Sequence, residues 1–297
     1  MTTFTITPRG PFSLAAAERF YGRWEATAGV RARPGELLRI AFLVDDWRGA
    51  AGLVVRQDAA DGPVEAELLA TQGDVDPSRV EAQLTRVLSL DHDGTGYPAV
   101  GERDEVVGEL LRAGGHQRPV LYHSPYEAAC WAIIIARIHS VQARRIRLTV
   151  SEALDVDGVD LGVFPSPEAL LRRDHIDGLS DEKVACLHAV ARAALEGELD
   201  RDRLLALEPG EALQRLQRLR GMTALGAARI LLRGVGPTDA LTTVEPRMRH
   251  AAAIAYRRPE LLTDDAAFTA LAEPWQPYRT WVSVLLRSSA PEPPDSA

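Results

Sequence analysis

Glu245 stands directly before Pro246 in this chain. Proline is tolerated at the first position of a helix, so Glu245 is expected at or beside an N-cap, where free N–H groups and the helix dipole favour the ionised carboxylate. An ionised carboxylate held in a cleft can stabilise a developing cation and orient an attacking water. Glu245 could equally serve only to cap its helix, and the two roles are compatible. Lys183 is the sole lysine, so any mechanism through an amine nucleophile has one candidate; a plain surface lysine is the simpler reading. Cys130 and Cys186 lie far apart, with no Cys-x-x-Cys, which excludes a zinc ribbon or an iron–sulfur cluster on ligand count. His116, His123, His139 and His250 lack metal-ligand spacing. No metal site is expected.

The charge is uneven. The chain has 297 residues and a net charge of -8, which at first argues against a polyanionic partner. Residues 1–110 alone carry a net -7, whereas 211–258 holds nine arginines against Glu211, Asp239 and Glu245. That local basic footprint says more about partners than the global sign, although a solvated helix face would look the same. Within it, residues 214–236 read as a helix, a tight turn at Gly221, a second helix and a Gly234-Val-Gly236 stop, after which a short loop leads to Glu245. A turn between two helices presents backbone N–H groups at a helix N-terminus, which suits an anion such as a phosphate.

The elements that must position these residues divide the chain in two. The first third reads as mixed α/β: a helix over Leu14–Trp24, a strand on the alternating Leu38, Ile40, Phe42 and Val44, and strands at Gly52–Arg56 and Val64–Thr71. Helices follow near Pro77–Leu90 and Asp104–Ala113, separated by a glycine-rich stretch through Gly101 read as loop. From Ser124 onward the pattern predicts almost only helix. Ser124-Pro-Tyr-Glu127 is a capping box that opens the first of these helices. Others are predicted at Val141–Ala153, Pro167–Arg172, Asp181–Leu195, Pro209–Leu219, Ala224–Arg233, Pro246–Tyr256 and Trp275–Arg287. The N-terminus shows no secretory pattern, and the most apolar run, Ala128 to Ala136, is too short to span a bilayer. A cytoplasmic soluble protein is the expectation.

The stretch Leu219, Gly221, Met222, Ala227 and Leu232-Arg-Gly234, with Glu245 at the place of a catalytic aspartate, resembles the helix-hairpin-helix superfamily of DNA glycosylases, and within it the 3-methyladenine DNA glycosylase II branch. Further segments fit in order: Arg118 to Ala129, Arg137-Ile-His-Ser-Val-Gln-Ala143, Phe164 to Leu170, Gly178 to Leu187, and Trp275-Gln-Pro-Tyr-Arg-Thr-Trp281. The resemblance covers roughly residues 116–289.

It implies an α+β protein, with a domain like one half of the TATA-binding protein over 1–115, an all-α glycosylase domain over 116–290, and a disordered tail over 291–297. It also implies a monofunctional glycosylase that flips damaged purines, alkylated ones foremost, out of double-stranded DNA and hydrolyses the glycosidic bond. Glu245 would be the catalytic carboxylate. Gly221, Thr223, Gly226, Arg220 and Arg229 would bind DNA around the hairpin. Arg137, Ile138 and His139 would do so at a turn whose Ile138 is the wedge that fills the gap, unless Ile138 is ordinary helix core. Tyr126, Trp131, Leu225, Trp275, Tyr278 and Arg287 would form the base pocket. No cofactor is implied beyond a monovalent cation at the hairpin, and the resemblance implies a nucleoid-associated monomer.

The departures are specific. Thr223 replaces the second hairpin glycine, Glu245 is one methylene longer than aspartate, and Leu225 and Arg287 stand where the branch has pocket tryptophans. Leu225 also falls at the place of the lysine nucleophile of bifunctional enzymes, so water-based chemistry is expected. Arg287 near Glu245 would either neutralise the carboxylate or contact a base edge. A DNA-binding protein that has lost catalysis, and a helical protein-binding domain, are the alternatives.

Overall fold

The computed structural model describes residues 2–22, 38–114 and 118–289. Trp24, His116 and the 291–297 tail lie outside the described residues. The class is α+β, as expected.

The N-terminal sheet is built from β1 (Thr2–Ile6), β2 (Leu38–Leu43), β3 (Gly49–Arg56) and β4 (Val64–Gly73), all pairs antiparallel, in the order β1-β4-β3-β2. β1, which the sequence reading passed over, pairs along β4 from Thr2 opposite Leu68 to Ile6 opposite Val64. Leu38, Ile40 and Phe42 sit opposite Val55, Leu53 and Ala51, so one sheet face is apolar throughout. It packs with helices α1 (Leu14–Gly22) and α2 (Pro77–Val87) through Leu14, Ala17, Val80, Leu84 and Val87.

Helices α3 (Pro98–Arg103) and α4 (Glu105–Gly114) follow. α3 lies in the stretch read as loop. Gly101 seats against Gly108: a Cβ on Gly101 would come within 2.7 Å of the Gly108 Cα. α5 (Pro125–Ile135) starts as the sequence predicts, with Ser124 Oγ accepting the Glu127 N–H at 3.1 Å. The Glu127 carboxylate, however, is engaged by side chains. It accepts from His123 Nδ1 at 2.9 Å and from Arg147. Burial alone would raise the Glu127 pKa; His123 and Arg147 outweigh it and pull it down to about 2.

α6 (Ser140–Val150) ends at Val150 rather than at Ala153, because the chain turns into a hairpin of β5 (Glu152–Asp155) and β6 (Asp160–Val163). The expected all-helical C-terminal half is therefore interrupted by two strands. Asp157 and Gly158 both have positive φ, 56° and 77°, the two-residue turn whose twist suits a hairpin. This hairpin closes the second face of the N-terminal sheet: Val156, Leu161 and Val163 pack on Ala41, Ala50 and Val54. Gly52 in β3 has no room for a side chain there, since its Cβ would lie 2.4 Å from a Val156 methyl.

The remaining helices are α7 (Pro167–Leu171), α8 (Asp181–Leu195), α9 (Arg201–Leu205), α10 (Pro209–Gln217), α11 (Ala224–Ile230, continued by a π turn over Leu231–Val235), α12 (Pro246–Ala255), α13 (Asp265–Leu271) and α14 (Arg279–Ser289). α14 starts four residues later than expected; Trp275 ends a short 3-10 turn, and Pro277, with no N–H to donate, separates the two. One core gathers α5, α6, α8 and α11 around Ile134, Leu187 and Ile230. A second gathers Met248, Phe268, Trp275 and Trp281 with Tyr97, Val100, Val107 and Leu111. α3 and α4, which precede residue 115, thus share their core with α12 and α14. No helix among the described residues is long and apolar enough to cross a membrane.

Candidate active site

The hairpin is formed by α10, the turn 218–223 and α11. Gly221 adopts φ 76°, and a Cβ there would lie 2.6 Å from Cys186 Sγ on α8, so both backbone and space call for glycine. Thr223 is the N-cap of α11, its Oγ1 accepting the Gly226 N–H at 3.0 Å. The residue that replaces a glycine therefore takes over one of the N–H groups at this helix start, and those of Ala224 and Leu225 remain for an anion. Arg220, exposed beside the turn, is paired with Glu182 at 3.0 Å. The π turn ends at Gly236, left-handed with φ 75°.

The loop from Pro237 to Val244 is tied to α14. Arg279 makes a two-pronged contact with Asp239 at 2.8 and 2.9 Å, and the Thr280 hydroxyl bonds both N–H and C=O of Ala240. This fixes where Glu245 emerges. Glu245 is the N-cap of α12, only 6% exposed. Its Oε1 accepts the Arg247 N–H at 3.3 Å and its Oε2 accepts from Arg229 Nε at 3.2 Å. It lines a pocket of about 40 Å³ together with Arg229, Leu232, Met248, Val284 and Arg287. Burial pushes the Glu245 carboxyl up, but Arg229 and Arg287 overcome this and hold it below the usual glutamate range. Burial lowers the pKa of Arg287, a shift that Glu245 opposes and Arg229 and Arg247 reinforce. Arg233, which also lines the pocket, is pushed down to about 9 by burial and donates to the Val120 carbonyl. The site is one anion among several guanidiniums.

Of the expected pocket residues, Arg287 lines this pocket beside Glu245. The aromatic ones do not. Tyr126 and Trp131 are buried in the core of α5, α6, α8 and α11, with the Tyr126 hydroxyl on the Pro165 carbonyl. Trp275 and Tyr278 are buried in the other core, their polar atoms bonded to Asp104 Oδ2 at 3.0 Å and to the Asp93 carbonyl at 2.9 Å. Leu225 is half-buried on the first turn of α11. Arg229, expected as a DNA contact, pairs with Glu245. Met248 and Ser283, which the sequence reading did not single out, line the pocket too. Ser283 could have been found as the residue one helical turn before Arg287 on the same face.

The wedge turn is distinct. Arg137 has φ 58° and is exposed, Ile138 is half-buried against the core, and His139 is exposed and caps α6 through Nδ1 at 3.4 Å from the Val141 N–H. Lys183 is not a free surface lysine: its ammonium donates to the carbonyls of Ile134 at 2.8 Å and Ala136 at 2.6 Å, at the end of α5.

In this chain the four-stranded antiparallel sheet, the helical body and the hairpin leading to a capped carboxylate follow the fold of solved DNA glycosylases. Its course superimposes on a 3-methyladenine DNA glycosylase from Archaeoglobus fulgidus with a TM-score of 0.74, over 96% of this chain and 97% of the other, at 19% identity. It matches an 8-oxoguanine glycosylase/lyase from Clostridium acetobutylicum at a TM-score of 0.61 and 14% identity, over 82% and 86% of the two chains. In sequence it is 23% identical over 206 residues, 66% of this chain and 67% of the other, to a DNA-3-methyladenine glycosylase of Bacillus subtilis (strain 168). No family model matches the chain.

Proposed function

We propose that the protein is a monofunctional DNA glycosylase that releases damaged purines, alkylated ones foremost, from double-stranded DNA by attack of water. The observation that carries this reading is Glu245: an ionised carboxylate, held at a helix N-terminus in a pocket of the glycosylase fold. Cleavage of the glycosidic bond builds positive charge on the deoxyribose. A carboxylate already ionised in a poorly solvated site stabilises that charge and orients the water. The α11 N–H groups would meet one phosphate directly. Glu182, beside the turn, is paired with Arg220, so its carboxylate does not face an incoming phosphate unneutralised. Ile138 would enter the stack from its turn.

Space sets a condition on the reading. About 40 Å³ holds a few waters and no purine. Entry of a base therefore requires the guanidiniums over the carboxylate to move, Arg287 from α14 foremost.

Glu245→Gln is expected to abolish base release from a methylated duplex while leaving DNA affinity near that of the parent. Unchanged release by this variant would sink the assignment. A second reading, a DNA-binding member of the fold without catalysis, is favoured by one fact: both oxygens of Glu245 are already engaged. Abasic-site formation measured on alkylated, deaminated and oxidised duplexes separates the two, since binding without product on every lesion supports the second.

A further inference from the structure

We infer that the first turn of α8 sets the wedge turn relative to the DNA-anchoring hairpin, with Lys183 as the positioning residue. The inference rests on the glycosylase reading and adds to it a role for the only lysine in the chain.

α5 stops at Ile135, and the chain must turn sharply to present Ile138 between the exposed Arg137 and His139. Arg137 turns it with φ 58°, a conformation that a residue with a side chain adopts at a cost. The last carbonyls of α5 have no partner within the helix and carry its negative dipole end. Lys183 answers both needs. Its ammonium donates to the Ile134 and Ala136 carbonyls, one on each side of the helix end. Lys183 makes no ion pair among the described residues, so its charge is committed to these carbonyls. A third N–H stays available to solvent from the half-buried side chain.

The same helical turn also grips the hairpin. Glu182, the preceding residue, holds Arg220 with contacts of 3.0 and 3.1 Å. Cys186, one turn on, lies under Gly221 so closely that no Cβ fits, and a methyl of Ile133 on α5 would lie 3.4 Å from the same Cβ. Three residues of one helix, Glu182, Lys183 and Cys186, thus touch both parts of the molecule that would contact DNA. Wedge and phosphate anchor are held in one register by α8.

The test uses the full-length protein and a duplex carrying 2-aminopurine at a central mispair, whose fluorescence rises when the base leaves the stack. Lys183→Met keeps the length of the side chain and removes its donors. It is expected to bind the duplex nearly as the parent does, to lose the fluorescence gain at saturating protein, and to lower kcat/KM for base release on the order of tenfold or more. Lys183→Arg, which retains donors, is expected to restore the signal. Ile138→Ala should give the same loss, and the double variant no further loss, because both changes remove one wedge. A lysine that only stabilised the fold would lower the melting temperature and leave the signal of the folded protein intact. Should Lys183→Met fail to fold, Lys183→Leu, which also lacks donors, takes its place. A retained signal in either variant, or losses that simply add with Ile138→Ala, overturns the inference and leaves the glycosylase reading standing. A parent protein that gives no signal overturns that reading before any variant is made.

Discussion

At Glu245, burial acts against the charge and two arginines act for it, and the arginines win. The order can be reversed by substitution. Arg229→Leu removes the Arg229 Nε contact at 3.2 Å and the larger of the two favourable charges. Desolvation then dominates, the carboxyl pKa rises, and the acid limb of the pH dependence of base release moves to higher pH. A limb that stays put, or moves down, would show that Glu245 is not the group whose ionisation is read. The same sign holds for stability. A depressed carboxyl stabilises the folded state above its unfolded value, and that contribution is lost as pH falls through the folded one. This part of the site was legible in the sequence: a carboxylate before proline is a cap, and a cap is ionised. The aromatic pocket was not. Trp275 and Tyr278 look the same in sequence whether their faces turn to a cleft or to a core. Their polar atoms are claimed by Asp104 and Asp93, 171 and 185 residues away, which no local pattern announces.

Among elements, the hairpin carries the sharpest constraint. Gly221→Ala should cost about 2 kcal/mol, part for a side chain at φ 76° and part for the Cβ facing Cys186. Cys186→Ala in that background removes the steric part only, so urea unfolding should show partial recovery. Full recovery would mean that the backbone costs nothing there. Helices with strong start signals, such as α5, α8 and α12, begin where the sequence puts them, because Ser124, Ser180 and Glu245 each bond a backbone N–H of the first turn. The start of β5, Glu152 and Ala153, was read as the tail of α6, and β6 was not read as a strand. The turn pair of the β5–β6 hairpin, Asp157-Gly158, is a strong short-range hairpin signal, but the flanking strands have only four residues each. What makes them strands is the sheet beneath, and that contact is remote in sequence.

For the molecule as a whole, the net +6 of residues 211–258 overstates the surface that DNA could meet. Arg229 is held by Glu245, Arg220 by Glu182 and Arg258 by Glu260, while Arg233 and Arg249 are buried. Arg215 on α10 and Arg218 at its C-cap stay exposed beside the hairpin. Replacing either by alanine should lower the slope of log affinity against log salt by about one and weaken all duplexes alike, damaged or not. A loss confined to damaged duplexes would place these arginines in lesion recognition instead. The division of charge was legible in the sequence; the internal pairing that consumes much of it was not.

A side chain driven between stacked bases needs something stiff behind it. α6 begins at the His139 cap of the wedge turn and runs on into β5, whose hairpin lies flat on the N-terminal sheet. Its 11 residues make a strut about 16 Å long. Under the proposed function, the recoil of the wedge would be delivered to a sheet braced on both faces, and the acidic N-terminal third, ill-suited to touch a phosphate, would serve as the abutment against which the DNA is bent.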